Sequence, residues 1–299
     1  KMRKILLEAS RAKTTTQRLA AFSAFRPSML VSPSLPRNGE PRTGLSMGEH
    51  AEQMAQEWKV SREAQDELAL KSHQNLARAY NDGFFTDLLT PFNGVSKDNN
   101  LRADLTIEKL RTLKPVFDKK VASGQGTLTA GNSTPLTDGA SAVLLASEEW
   151  AKARNIPVLA YITFSEVAAI DFFNEKEGLL MAPAYAVPRM LERAGLKLQD
   201  FDFYEIHEAF AAQVLCTLRA WESEDYCKTR LGLDAPLGSI DPAKMNPNGS
   251  SLATGHPFAA TGARIIATVA KELKQRGGGR ALVSICTAGG MGVVAIVER

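Results

Sequence analysis

Three positions set a reactive side chain where a strand-like run meets a tight or helical segment. They are His207 after "FYEI", His256 in "NPNGSSLATGHPFAATGAR", and Cys286 in "SICTAGGMG". Open α/β sheets carry their sites at such junctions. A thiol beside an imidazole can exchange protons near neutral pH, and Ala288, Gly289 and Gly290 leave backbone N–H groups accessible, the usual material of an oxyanion hole. Each position also has a plainer reading. Cys286 can be a small buried residue that ends a strand, His207 an N-cap histidine with a satisfied ring, and His256 a turn histidine packed by its neighbours. Cys216, inside a helical run, and Cys227, in a charged segment, lack such surroundings and read as structural.

The elements that must position these residues follow from hydrophobic period and turn signals. "VLAYITFSEVA" and "FDFYEI" read as strands, with the helix "YAVPRMLERAG" between them stopped by Gly195. "HEAFAAQVLCTLRAW" reads as a helix beginning at His207, and "PFAATGARIIATVAKELKQR" as a helix whose first half is small residues and whose end is Gly277 to Gly279. Helical N–H groups there could stabilise negative charge beside His256, and Asn246 and Asn248 could hold the preceding loop. "RALVSIC" and "GVVAIVE" are two strands joined by glycines. This alternation implies an α/β domain with a helix-covered sheet.

Upstream, Ser46 and Glu49 stand at capping-box spacing, Ser61 is placed to cap a second helix ending at "NDG" (81–83), and Ser147 to cap "SEEWAKARN". "GTLTAGNSTPLTDGASAVLLAS" suggests two short strands about a turn, and its Thr129-Ala130-Gly131 echoes Thr287-Ala288-Gly289. The first 25 residues or so read as one basic amphipathic helix with Ile5, Leu6, Leu19, Phe22 and Phe25 on its apolar side, broken by "RPSMLVSPSLPRNGEP", an arm or linker.

Composition bounds the rest. With 299 residues and 44% hydrophobic content the chain can bury a real core, and its longest apolar runs are strand-length, too short for a membrane span. Three cysteines without metal-ligand spacing and four histidines argue against a zinc site or a disulfide scaffold and favour a reducing compartment. Residues 1–42 hold nine Lys/Arg against two acidic residues, although the whole chain is only +3. That segment is either a solvated basic helix or a surface that meets an anion, with Arg3, Lys4 and Arg11 as its test positions. Lys1 and the absence of an apolar leader read as the interior of a longer chain.

"HEAFAAQ", "NPNGSSLATGHPFAATGAR" and "CTAGGMGVVAIVE" resemble, in order, the three C-terminal signatures of the thiolase family. "GTLTAGNSTPLTDGASAVLLAS" and "MGEHAEQMAQEWKVSREAQDELALKSHQ" resemble its central segments, so the likeness runs from about residue 42 to the end. The chain is most similar to the fatty-acid oxidation type, including the trifunctional-complex β subunit, because His207 stands where most relatives have Asn and because of the basic opening segment.

The resemblance implies an α/β fold, a layered αβαβα core with an inserted helical loop domain. Residues 1–118 would be the loop domain with the basic helix, 119–152 the tail of the first half and 153–299 the whole second half. It implies cleavage of 3-ketoacyl-CoA by CoA to acetyl-CoA and a shortened acyl-CoA in β-oxidation. It also implies no cofactor beyond coenzyme A as substrate, no metal and no nucleic acid. A homodimer or tetramer is expected, with a multienzyme partner subunit as a further association, in bacterial cytoplasm or mitochondrial matrix. His256 would be the base, Cys286 the second cysteine that gives or takes the proton on the acetyl carbon, His207 a donor or water holder for the enolate oxygen, and Ala288 N–H part of the second oxyanion hole. Met47, Phe117, Ala130, Thr134, Ala209 and Phe210 would line the pantetheine channel.

The departures are Ser250 where glycine is usual, Ala288 where many relatives have glycine, and above all the acylated cysteine, whose motif none of the three cysteines matches. The chain alone is therefore expected to be inactive, with that residue upstream of everything seen here. A non-catalytic CoA-binding or assembly fragment and a biosynthetic acetoacetyl-CoA thiolase are the alternatives. A ketoacyl synthase relative is disfavoured, because those enzymes have no counterpart of Cys286.

Overall fold

In the computed structural model, which describes residues 2–26, 39–121, 125–175 and 177–299, the basic opening segment is two helices, α1 (Met2–Arg11) and α2 (Thr15–Phe22), where one was expected. The break comes at Thr14, whose extended backbone and side chain accepting from Gln17 N start a new helix. Leu19 and Phe22 are exposed. These helices belong to one compact unit, Lys1–Gly39, and the rest of the chain, Glu40–Arg299, forms a second. The proline-rich stretch lies largely outside the described residues.

The second unit opens with α3 (Met47–Glu57) and α4 (Arg62–Asn81). Ser46 caps α3 in a full capping box: its side chain accepts from Glu49 N, and Glu49 Oε2 accepts from Ser46 N at 2.7 Å. Ser46→Ala is expected to destabilise the chain by about 1 kcal/mol, read as an earlier midpoint in urea unfolding; an unchanged midpoint would show the cap to be idle. Ser61 caps α4, and Asp82 with Gly83 (φ +72°) ends it. After the short α5 (Ile107–Arg111), residues 127–132 are pinned to both long helices. Glu52 of α3 accepts from Thr127 N and Leu128 N, while Asp66 of α4 accepts from Arg62 and from Asn132 Nδ2.

The two short strands expected within 126–147 do not form. Described residues there make only isolated bridges, Pro115 with Thr129, Ser133 with Phe210 and Leu136 with His256. Backbone pairing needs a neighbouring strand, and none is present beside 139–147 among the described residues; Leu144 and Leu145 are 70% and 67% exposed. The segment leads into α6 (Glu148–Ala153), capped by Ser147.

From there each expected strand forms, while the helix expected from His207 starts later and two short helices are added. The chain runs β1 (Tyr161–Ala169), α7 (Ala182–Ala194) ended by left-handed Gly195, β2 (Phe203–Ile206), α8 (Ala211–Glu222), α9 (Glu224–Thr229), α10 (Ser251–Thr254), α11 (Ala260–Arg276), β3 (Arg280–Thr287) and β4 (Met291–Glu298). The sheet order is β1-β4-β3-β2, antiparallel except for the parallel β2–β3 pair. Strand alternation divides the core between two faces. Leu282, Val294 and Ile296 pack with Ala186, Val187 and Met190 of α7 and Val214 of α8. Ala281, Val283, Ala295 and Val297 pack with Ile265, Val269 and Leu273 of α11. Burial of a Leu or Ile side chain in these layers contributes about 1.5–3 kcal/mol, so the sheet end that carries the site residues is firmly held.

Candidate functional site

His207 does not begin a helix. Its N–H donates to Ser284 O at 2.9 Å, which carries the β2–β3 pairing one residue past Ile206. Phe210 is extended and bridged to Ser133, so α8 starts only at Ala211, whose N–H donates to Asn132 O. Helical turns require i→i−4 bonds, and here the backbone of 207–211 is already committed to the sheet and to the 132–134 segment. Thr134 completes that clip: its N–H donates to Ala209 O at 3.1 Å and its hydroxyl to Ser251 O at 2.6 Å.

His256 sits between α10 and α11. Its N–H donates to Pro135 O at 2.9 Å, and Gly255 before it holds φ +94°, where a Cβ would lie 2.6 Å from Asn100 Nδ2. Only glycine fits that turn. The rings of His207 and His256 come together with centroids 4.5 Å apart and planes inclined by 42°. Phe258, at φ +45° and 62% exposed, lays its ring 5.4 Å from His256.

Cys286 lies two residues beyond the Ile206–Ser284 pair on the strand next to His207, paired with Gly292. Its thiol is buried in a cluster with Ala209, Phe210 and Phe172, against which Met47 and Phe117 also pack. Phe117 meets Phe210 edge to face at 6.0 Å. The β-turn after β3 leaves Ala288 exposed, and Ala130 is exposed on the turn at 129–131. Thus His207 and His256 touch, and Cys286, Ala209, Phe210, Met47 and Phe117 share one apolar cluster. Thr134 bridges the two histidine-bearing segments, while Ala130 and Ala288 stand at exposed turns. Cys216 and Cys227 are buried in α8 and α9, each thiol directed at backbone carbonyls.

Burial and the neighbouring cation of Arg264 keep both imidazoles neutral: His207 is held well below the usual histidine range, first by burial and then by His256 and Arg264, and His256 is lowered by burial and Arg264. Burial pushes the Cys286 thiol up to about 12. It therefore carries its proton at neutral pH.

Behind the histidines lies a buried polar layer that the residue types alone did not reveal. Arg264 of α11 donates through Nη2 to Ser251 Oγ at 2.8 Å, and its Nη1 stands 3.6 Å from Glu205 Oε1. Ser250, the residue at a usual glycine position, donates its hydroxyl to Glu205 at 3.1 Å. Glu208 accepts from Ser72 Oγ of α4 (2.7 Å), Asn246 Nδ2 (2.7 Å) and Leu252 N (3.1 Å). Asn246, read as a loop holder, also accepts from Ile206 N and donates to Ile206 O, and Asn248 donates to Glu272. Arg264 had one visible signal, a lone charge in an otherwise small and apolar helix face; Ser72, far away in sequence, had none. A cavity of 440 Å³ lined by His50, Met54, Glu57, Phe172, Glu177 and Leu179, among others, shares Phe172 with the Cys286 cluster.

Residues 156–299 match the thiolase C-terminal domain and residues 30–149 the thiolase N-terminal domain. The chain is 43% identical over 299 residues to a 3-ketoacyl-CoA thiolase of Yersinia enterocolitica serotype O:8 / biotype 1B, and likewise to that of Yersinia pestis (strain Pestoides F). In both cases 98% of this chain and 67% of the relative are covered. Among solved structures it is similar to the acetyl-CoA acetyltransferase of Bacillus anthracis (TM-score 0.71, 37% identity) and to human mitochondrial 3-ketoacyl-CoA thiolase (TM-score 0.74, 35% identity), covering 87% of this chain and 61% of each. A complex of the human mitochondrial enzyme with CoA is similar too, with a TM-score of 0.72 and 34% identity over 60% of its length. The chain thus spans about three fifths of the solved structures it matches. With both domains matched in order and the strand-end histidines and cysteine on one fold, the chain belongs to the thiolase family.

Proposed function

We propose that these residues form the proton-transfer and enolate-stabilising side of a 3-ketoacyl-CoA thiolase site working in fatty-acid β-oxidation. The observation that carries the reading is the meeting of His207 and His256 at 4.5 Å beside the strand that bears Cys286. In the cleavage direction the bond between the α and β carbons of the 3-ketoacyl-CoA breaks. The acyl group passes to a cysteine thiolate and the electron pair to the acetyl-CoA carbon, as an enolate. Cys286 then gives its proton to that carbon, for which a thiol kept protonated by burial is in the needed state. His207 Nε2 serves the enolate oxygen, and Ala288 N–H the oxygen of the acyl-transfer intermediate, an effect of about 3 kcal/mol per donor in other enzymes.

His256 is the base for the acyl-accepting thiol. None of Cys216, Cys227 and Cys286 suits that thiol's part, since the first two are buried against carbonyls and the third holds the proton role. The pantetheine arm would run past Met47, Phe117, Thr134, Ala209 and Phe210, with Ala130 at its exposed end. The CoA complex of a similar enzyme supports coenzyme A as the ligand. Division at 118 and 152, a homodimer or tetramer, a multienzyme partner and a bacterial cytoplasmic or mitochondrial matrix setting complete the reading. Among the described residues no helix is long and apolar enough to cross a membrane.

The isolated chain is expected to show no thiolysis of acetoacetyl-CoA, yet to exchange the α-protons of acetyl-CoA for deuterium in D₂O. Proton NMR follows the second and free-thiol consumption the first. Turnover in thiolysis would overturn the assignment of roles to the three cysteines; absence of exchange under saturating acetyl-CoA would overturn the proton-transfer reading.

A further inference from the structure

The hydroxyl of Ser251 lies between two groups of unequal freedom. On one side Arg264 Nη2 approaches at 2.8 Å; on the other, His207 Nδ1 stands at 2.7 Å. A guanidinium only donates, so one lone pair of Ser251 Oγ is taken. The single hydroxyl proton then needs an acceptor. Among the described residues Ser251 Oγ has no other partner than these two, and Ser251 is fully buried. A buried O–H without an acceptor costs about 1–3 kcal/mol. The proton is therefore directed at Nδ1, which must be the unprotonated nitrogen.

We infer that Arg264, acting through Ser251, is a positioning residue that fixes His207 as the Nε2–H tautomer, so that this ring always presents a donor to the site. Nε2 has no partner among the described residues and is the nitrogen left for a ligand oxygen. The neutral state on which a tautomer depends is favoured by burial and by the flanking His256 and Arg264. Glu205, Glu208 and Asp98 are the acidic groups acting on Arg264, and none is hydrogen-bonded to the His207 ring.

His256 provides an internal contrast. Its Nδ1 is 2.7 Å from Thr261 Oγ1, but no arginine contacts that hydroxyl among the described residues. Thr261 can accept from Nδ1–H, leaving the Nε2 lone pair of His256 free to take a proton, or it can rotate and donate. The two rings are thus held differently, one locked as a donor and one free to be a base. A hydrogen-bond donor at His207 Nε2 suits an enolate oxygen, whereas a lone pair there would repel it. The functional meaning rests on the thiolase reading above; the tautomer itself does not.

Long-range ¹H–¹⁵N correlation spectra of the chain labelled at its four histidines test this without substrate. His207 is expected to show a protonated Nε2 and a bare Nδ1 across neutral pH. Ser251→Ala should abolish that preference, Ser251→Thr should retain it, and Arg264→Met should move His207 toward the Nδ1–H form while the His50 and His73 signals stay. A wild-type Nδ1–H signal overturns the inference, as does a folded Ser251→Ala or Arg264→Met chain with the tautomer unmoved. Should Arg264→Met not fold, the wild-type spectrum and Ser251→Ala decide. The expected tautomer without α-proton exchange would remove the thiolase roles and leave this inference standing; the wrong tautomer with intact exchange would do the reverse.

Discussion

Replacing Cys286 with alanine is expected to slow the α-proton exchange of acetyl-CoA by about 10²–10⁴-fold, the range supplied by a positioned acid–base group, while leaving the fold in place. The thiol's role in packing is that of a small apolar group in a large cluster. Losing the sulfur costs roughly 1 kcal/mol of burial, far less than the chain's sheet core supplies. The pH dependence follows from the same burial. Taking a proton from carbon requires the thiolate, and a thiol whose pKa lies at about 12 is mostly protonated below that value. Exchange in the wild type should therefore rise about tenfold per pH unit through the neutral range, and in the alanine variant only the slower hydroxide-driven exchange should remain. Proton NMR in D₂O at a series of pH values reads both. Equal rates in the two chains would remove Cys286 from the reaction.

The second large effect separates two neighbouring glutamates. Glu205 and Glu208 are both buried and share one cation, Arg264, so with both ionised the layer would carry an uncompensated negative charge. Glu208 has three donors, from Ser72, Asn246 and Leu252, that serve its ionised form. Glu205 has the Ser250 hydroxyl and a 3.6 Å approach to Arg264. Burial raises both carboxyls, and Glu205 is pushed to about 8. At neutral pH the proton rests on Glu205, and Glu208 balances Arg264.

Glu208→Gln should thus destabilise the chain by about 3–5 kcal/mol, because it strands a buried cation and sets an amide N–H₂ against donors. Glu205→Gln should be near neutral at acidic pH. A carboxyl with its folded pKa raised from 4.5 to about 8 favours folding fully below 4.5 and loses that contribution as pH climbs toward 8. Across that window the wild type should lose roughly 1–2 kcal/mol per pH unit relative to Glu205→Gln. Urea unfolding at pH 5 and pH 8 measures the difference. An equal cost for the two substitutions, independent of pH, would show that the charge is shared otherwise.

The sequence announced the elements of the sheet because each carries a local signal. The strand-length apolar runs in β3 and β4, Gly195 and Gly277 as helix stops, and the serine caps at 46, 61 and 147 are rules of nearest neighbours. The histidines and Cys286 were visible because their types are rare and their settings small. The start of α8 was misplaced because helix propensity in "HEAFAA" yields to backbone bonds from Ser284 and Asn132, which lie far off in sequence. The strands within 126–147 failed for the complementary reason: apolar composition suggests a strand, but a strand exists only with a neighbour to pair with. The polar layer was hidden because Ser72 and Glu208 are 136 positions apart.

Ser72 also ties two parts of the molecule into one dynamic unit. It projects from α4, donates to Glu208 and accepts from Ser250 N, and at Gly249 the α4 backbone passes so close that a Cβ would lie 2.5 Å from Ser72 O. The loop that carries His256 cannot lift away without detaching from α4, and α4 cannot fray at its middle without freeing that loop. Native-state opening of the two should be a single event, with the slowly exchanging amides of mid-α4 and those of residues 249–255 sharing one protection free energy.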